Sequence, residues 1–192
     1  AQQFKERIDT LLPKLKHAGE FIESGREALV WKVGHTANRL LIGAKACGLT
    51  GIVLKDETLK ASAGKLVEEA LERRDEGGVF IENKGRDSSY DAVCLLMAQV
   101  LGIYLPNPAL DDAVQKTMAW LRTRVEDDGK VQVEGNTRTG VGKEASPLAG
   151  HPKQVNYAEV AQTFAFYALL HDDPACLEIA KKVDAYRKSH SL

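Results

Sequence analysis

The chain has 192 residues, with 26 Lys plus Arg against 27 Asp plus Glu and a formal net charge of −1. Apolar residues make up 44% and charged residues 28%, which excludes a disordered tail, a collagen-like chain and a polybasic nucleic-acid binder. The longest uncharged apolar stretches fall short of the ~20 residues a membrane span needs, so no membrane partner is expected. The length suits one domain with a real core. Cys47, Cys94 and Cys176 lie in apolar helical contexts with no CxxC spacing. They read as small buried hydrophobes, with one disulfide plus a free thiol as the alternative. The sequence opens Ala-Gln-Gln, which fits a removed leader as well as a trimmed chain. The expected location is periplasmic or secreted, with cytoplasmic as the alternative.

In chain order, Phe4, Ile8, Leu11, Leu12 and Leu15 mark the face of a first helix over 3–16. Pro13 should start or kink it, because its ring removes the bond to the carbonyl of Asp9. A repeat follows. Residues 19–26, 78–86 and 129–138 share a Gly, a short alternating apolar stretch, a Glu, a Gly-containing turn and an Arg. Each copy leads to a helix apolar on nearly every face, containing His35 to Cys47, Tyr90 to Ala98, or Tyr157 to Ala165; such helices belong in the interior. Each unit closes with an amphipathic outer helix, as Leu110, Val114, Met118 and Leu121 illustrate. Asn107-Pro108 and Asp173-Pro174 pair an N-cap residue with Pro at the first helical position. Gly78 and Gly129 stand past helix ends where a left-handed residue is wanted. The predicted fold is all-α: three repeated α/α hairpins in one domain, units about 19–77, 78–128 and 129–190, with short strands in the loops.

This pattern resembles the α/α-toroid folds. The resemblance rests on Gly77-Gly78-Val79-Phe80, Asp128-Gly129-Lys130-Val131 and Ser88-Ser89-Tyr90-Asp91-Ala92. Similar turns before a Tyr-bearing inner helix occur in six-hairpin glycosidases and in polysaccharide lyases of the chondroitin and hyaluronate type, and terpenoid cyclases share the architecture. Those families close a ring with more hairpins than this chain has. The resemblance therefore implies an open curved stack, or a toroid completed by another chain or a second copy.

In such folds the loops before the inner helices line a concave face. Here they carry Glu23 and Arg26, Glu82 and Arg86, Glu134 and Arg138. These pairs either form a binding rim or tie their own turns together. The resemblance to uronic-acid lyases implies His35, Asn38, Tyr90 and Arg86 as catalytic candidates. There Asn and Arg neutralise the carboxylate, while His or Tyr moves the C5 proton and Tyr protonates the leaving oxygen. Glu82, Glu134, Arg138, Asn156 and Tyr157 are the substrate-binding candidates. Tyr90 and Tyr157 also read as half-buried rings capping the core, and His35 as a structural histidine. A glycosidase would need two paired carboxylates, which Glu82, Asp87, Asp91, Glu134 and Glu159 could supply. The loop 135–155 is long and locally basic through Arg138, Lys143, His151 and Lys153; it is either an anion-contacting lid or an insertion. No metal-ligand spacing links His17, His35, His151, His171 and His190, so no metal or cofactor is expected. Two functions follow: an exported carbohydrate-binding or lyase-like polysaccharide-processing protein, or a non-catalytic module or scaffold binding a protein partner. A cleft lined by Tyr90, Tyr157, Arg86 and Asn38 favours the first and an apolar groove the second.

Overall fold

The computed structural model describes residues 2–25, 36–145 and 150–192. The described residues form seven helices: α1 (Gln2–Ser24), α2 (Ala37–Leu54), α3 (Glu57–Leu71), α4 (Tyr90–Tyr104), α5 (Pro108–Arg122), α6 (Tyr157–His171) and α7 (Pro174–Ser189). The fold is all-α. α2 with α3, α4 with α5, and α6 with α7 pack as hairpins, and α2, α4 and α6 lie side by side in a row. Asp56, Asn107 and Asp173 cap α3, α5 and α7, each accepting from backbone N–H groups of the first turn.

Leu40 and Leu41 of α2, Leu66 of α3, Leu95 of α4, Leu110 and Met118 of α5 and Phe164 of α6 form one buried core. The all-round apolar character of the inner helices overstates their burial, however. α2 exposes Ile42 and Val53, α4 exposes Ile103 and Tyr104, and α6 exposes Leu169 and Leu170. Each inner helix therefore keeps some apolar side chains in contact with solvent. α2 has 18 residues and is apolar enough to cross a membrane by length and composition; about half of it is buried against its neighbours.

Two expectations at the N-terminus are corrected. α1 runs through Pro13 to Ser24 and takes up most of the first repeat copy, which the sequence places in a loop. Asp9 and Pro13 are both exposed, so water can satisfy the carbonyl that lost its donor. The helix ends where the Gly25 N–H turns back to the carbonyls of Phe21 and Ile22. α1 packs on α2 and α3. Gly19 makes that approach possible: a Cβ there would stand 2.8 Å from Leu59 and 2.9 Å from Thr50.

The expected short strands are likewise absent among the described residues. In their place are tight turns held by single antiparallel bridges, Arg74 with Phe80 and Val125 with Val131. The two turns repeat bond for bond. Ile81 N–H donates to Arg73 at 3.0 Å and Asp75 N–H to Val79 at 2.9 Å; Gln132 N–H donates to Arg124 at 2.8 Å and Glu126 N–H to Lys130 at 2.8 Å. Gly78 and Gly129 are left-handed as expected, at φ +79° and +92°, but sit inside these turns several residues past the helix ends.

Candidate functional site

Thr36, at the start of α2, and the loops that enter α4 and α6 meet at one end of the helix row. The turn at 73–81 delivers Glu82 to the N-terminus of α2, where its Oε1 accepts from the Asn38 backbone N–H at 2.8 Å. Partial positive charge on the first N–H groups of a helix suits a carboxylate there. The Cys94 thiol also points at Oε1, at 3.7 Å. Oε2 pairs with Arg138 Nη1 at 2.8 Å, and both residues are buried. Burial pushes the Glu82 carboxyl above the usual carboxylate range, while the Asn38 N–H and Arg138 limit the rise.

Asp87 fastens the same loops. Its Oδ1 accepts from the N–H groups of Ser89 and Tyr90, starting α4, and from the Thr139 hydroxyl. Its Oδ2 accepts from the N–H groups of Arg138 and Thr139, each at 2.8 Å. Asp91, wholly buried one turn on, accepts from the Asp87 N–H through Oδ2 and leaves Oδ1 without a partner. Burial drives its carboxyl well above the ordinary range.

The long loop continues from this anchor. Arg138 stacks its guanidinium 3.8 Å from the Tyr90 ring centre, and Lys153 Nζ lies 5.3 Å from the same ring. Glu144 ties both cations, accepting from Arg138 Nε at 3.1 Å and pairing with Lys153. Asn83 of the preceding unit also donates to Glu144, at 2.7 Å. Partial burial works against the Lys153 charge, but Glu144 and the Tyr90 hydroxyl hold its pKa above that of an ordinary lysine. The described part of the loop is thus folded onto the unit before it.

Between this loop and the starts of α4 and α6 lies a cleft of about 350 Å³, lined chiefly by Tyr90, His151, Lys153, Gln154, Asn156 and Glu159. Asn156 caps α6 through the Glu159 N–H at 3.2 Å and donates its own N–H to Ser89 Oγ at 3.1 Å. Partial burial raises the Glu159 carboxyl, with Asn156 opposing. The cleft therefore presents a phenol, a lysine, an imidazole, an amide and a carboxyl within one small volume.

The sequence candidates separate. Tyr90 and Asn156 line the cleft, and Arg138 supports it from behind. Asn38 is buried, its side-chain oxygen occupied by the Arg39 N–H at 2.7 Å. Arg86 is drawn away, paired with Asp75 at 2.6 Å and lying 5.5 Å over the Trp120 ring. Tyr157 accepts from the Val131 N–H at 3.4 Å and stacks on Tyr186 at 5.3 Å. Glu134 is exposed and offers its backbone carbonyl to Arg124. His35, with Arg26, lies outside the described residues. Glu82 and Arg138 do not tie their own turns; they pair with each other across units, because Arg138 enters the slot that Glu82 lines. The sequence flagged His151 and Lys153 only as loop charge and Glu159 only as one acid among several. It gave no sign that Asp87 and Glu144 anchor the loop, since their partners lie far along the chain.

Cys47, Cys94 and Cys176 are buried, as small apolar side chains would be. Among the described residues no group of three or more His, Cys, Asp or Glu side chains is placed to hold a metal ion. No protein-family model, no curated protein and no solved structure matches the chain.

Proposed function

We propose that this chain binds an acidic oligosaccharide, of the uronic-acid kind, in the cleft beside Tyr90. The observation that carries the reading is the convergence of Lys153, His151, Asn156 and Tyr90 on one small polar cleft braced by the buried Arg138. A sugar carboxylate suits the Lys153 ammonium and the Asn156 amide, while ring hydroxyls suit Tyr90 and Glu159. In the lyase-like form of the reading, His151 takes the C5 proton. The electron pair then forms the double bond, and the Tyr90 hydroxyl gives its proton to the departing glycosidic oxygen. The three hairpins belong, on this reading, to an open toroid-like stack, and the protein acts where such polysaccharides occur, in the periplasm or outside the cell.

Thermal unfolding against acidic and neutral oligosaccharides tests the binding. A ligand at 100 times its Kd stabilises by about 2.7 kcal/mol, which is roughly 5–10 °C for a domain of this size. A shift with uronic-acid sugars that Lys153→Ala removes supports binding, and ultraviolet absorbance from unsaturated products then decides whether elimination follows. No shift across the panel turns the reading to a protein-interaction module. The observation favouring that alternative is the set of exposed apolar side chains on the inner helices, Ile42, Val53, Ile103, Tyr104, Leu169 and Leu170.

A further inference from the structure

A second cavity lies at the other end of the helix row. It is a recess of about 260 Å³, partly open to solvent, between the C-terminal halves of α4 and α6 and the start of α5. Gln99 lines it and is only 4% exposed, yet neither its amide nitrogen nor its amide oxygen has a hydrogen-bond partner. A buried amide without partners is costly, so an unsatisfied donor and acceptor side by side call for an explanation. Ile103, Val114 and Leu170 supply apolar walls, and Asp111 and His171 complete the lining. Gly102 leaves space where any other residue would fill it: a Cβ there would approach only Asp111 Oδ1, at 3.5 Å.

We propose that this cavity is a binding site for a small planar ligand whose edge carries a hydrogen-bond donor beside an acceptor. A primary amide side chain pairs with such an edge through two parallel hydrogen bonds, as it does with a nucleobase. The apolar walls fit the faces of a flat ring. Neither lysine nor arginine lines the cavity, and Asp111 is its one carboxylate, so the ligand is neutral or cationic and carries no phosphate. A nucleobase and a heteroaromatic carboxamide share this chemistry. The site is independent of the cleft beside Tyr90.

The test is a titration of the whole chain, isotopically labelled, with adenine, uracil and nicotinamide, followed by NMR on the Gln99 side-chain amide and the methyls of Ile103 and Val114. The expected result is a saturable shift of these signals by at least one probe at millimolar concentration or below. Adenosine 5′-phosphate should bind at least tenfold more weakly than adenine. Gln99→Met, which keeps the bulk but not the amide, and Gly102→Leu, which fills the space, should each weaken binding at least tenfold. Response to nicotinamide alone identifies a carboxamide ligand, and response to adenine or uracil a nucleobase. Silence of the Gln99 amide with all three probes overturns the proposal, as does undiminished binding to folded Gln99→Met. If both variants lose their fold by circular dichroism, the wild-type Gln99 signals alone decide.

Discussion

The turn at 73–81 and the turn at 124–132 have the same backbone bonds and the same left-handed glycine, yet they lead to different structures. After the first, the chain reaches α4 within a few residues, delivering Glu82 and Asp87 into the interior on the way. After the second, it makes a long excursion before α6, and the excursion begins by inserting Arg138 and Thr139 between those two acids. The repeat makes the frame, and the departure from the repeat makes the cleft. Neither unit forms the cleft alone, because Tyr90 comes from one and Lys153 from the other.

The largest effect should come from cutting that link. Arg138→Ala leaves Glu82 buried without its cation, a loss of about 3–5 kcal/mol. Urea unfolding should show it, and Glu82→Gln with Arg138→Met together should recover most of it. Equal destabilisation by the single and double variants would mean that the pair does not join the units.

The two glycines sharpen the comparison. A Cβ at Gly129 would stand 2.1 Å from the backbone carbonyl oxygen of Lys182 in α7, whereas at Gly78 it would meet only the movable side chain of Lys116. Gly129→Ala should therefore cost about 3 kcal/mol or more, and Gly78→Ala only the ~1–2 kcal/mol of a left-handed non-glycine residue. Similar melting temperatures for the two variants would contradict the close seating of the second turn on α7.

Asp91 gives a smaller effect with a definite sign. Its pKa in the folded chain lies above the unfolded value, so the fold favours the protonated carboxyl. That stability is fully present below the ordinary carboxylate range and is lost as pH rises through the raised value. Glu82, also raised, contributes in the same direction. Asp91→Asn keeps an acceptor for the Asp87 N–H and cannot ionise. It should flatten the decline measured by denaturant unfolding across pH, removing a loss on the order of 1–3 kcal/mol. An unchanged pH profile would show that Asp91 is not the group responsible. Smallest of all, Glu134→Ala should change stability by less than about 0.5 kcal/mol and leave sugar binding intact, since the side chain is exposed and outside the cleft.

The all-α class and, among the described residues, the hairpin pairing and caps were legible because they rest on local signals: apolar spacing, Asn107-Pro108 and Asp173-Pro174. The extent of α1 was not, because the copy at 19–26 has Lys16-His17-Ala18 before its glycine where the other two have Asp75-Glu76-Gly77 and Glu126-Asp127-Asp128, and its residues tolerate helix. The site was legible only in part. Tyr90 and Asn156 are marked by their place at helix starts. Arg86 and Tyr157 carry the same mark, yet Asp75 and Tyr186 take them elsewhere. Which polar side chain is left free depends on long-range partners, and spacing does not encode those.

The most direct test of the account is calorimetric titration of a uronic-acid trisaccharide, and of the same sugar with its carboxyls reduced, into the wild type and Lys153→Ala. The account predicts binding of the acidic sugar alone, weakened about tenfold or more by loss of a charge-assisted contact in Lys153→Ala. Equal binding of both sugars, or acidic-sugar affinity indifferent to Lys153, would contradict it.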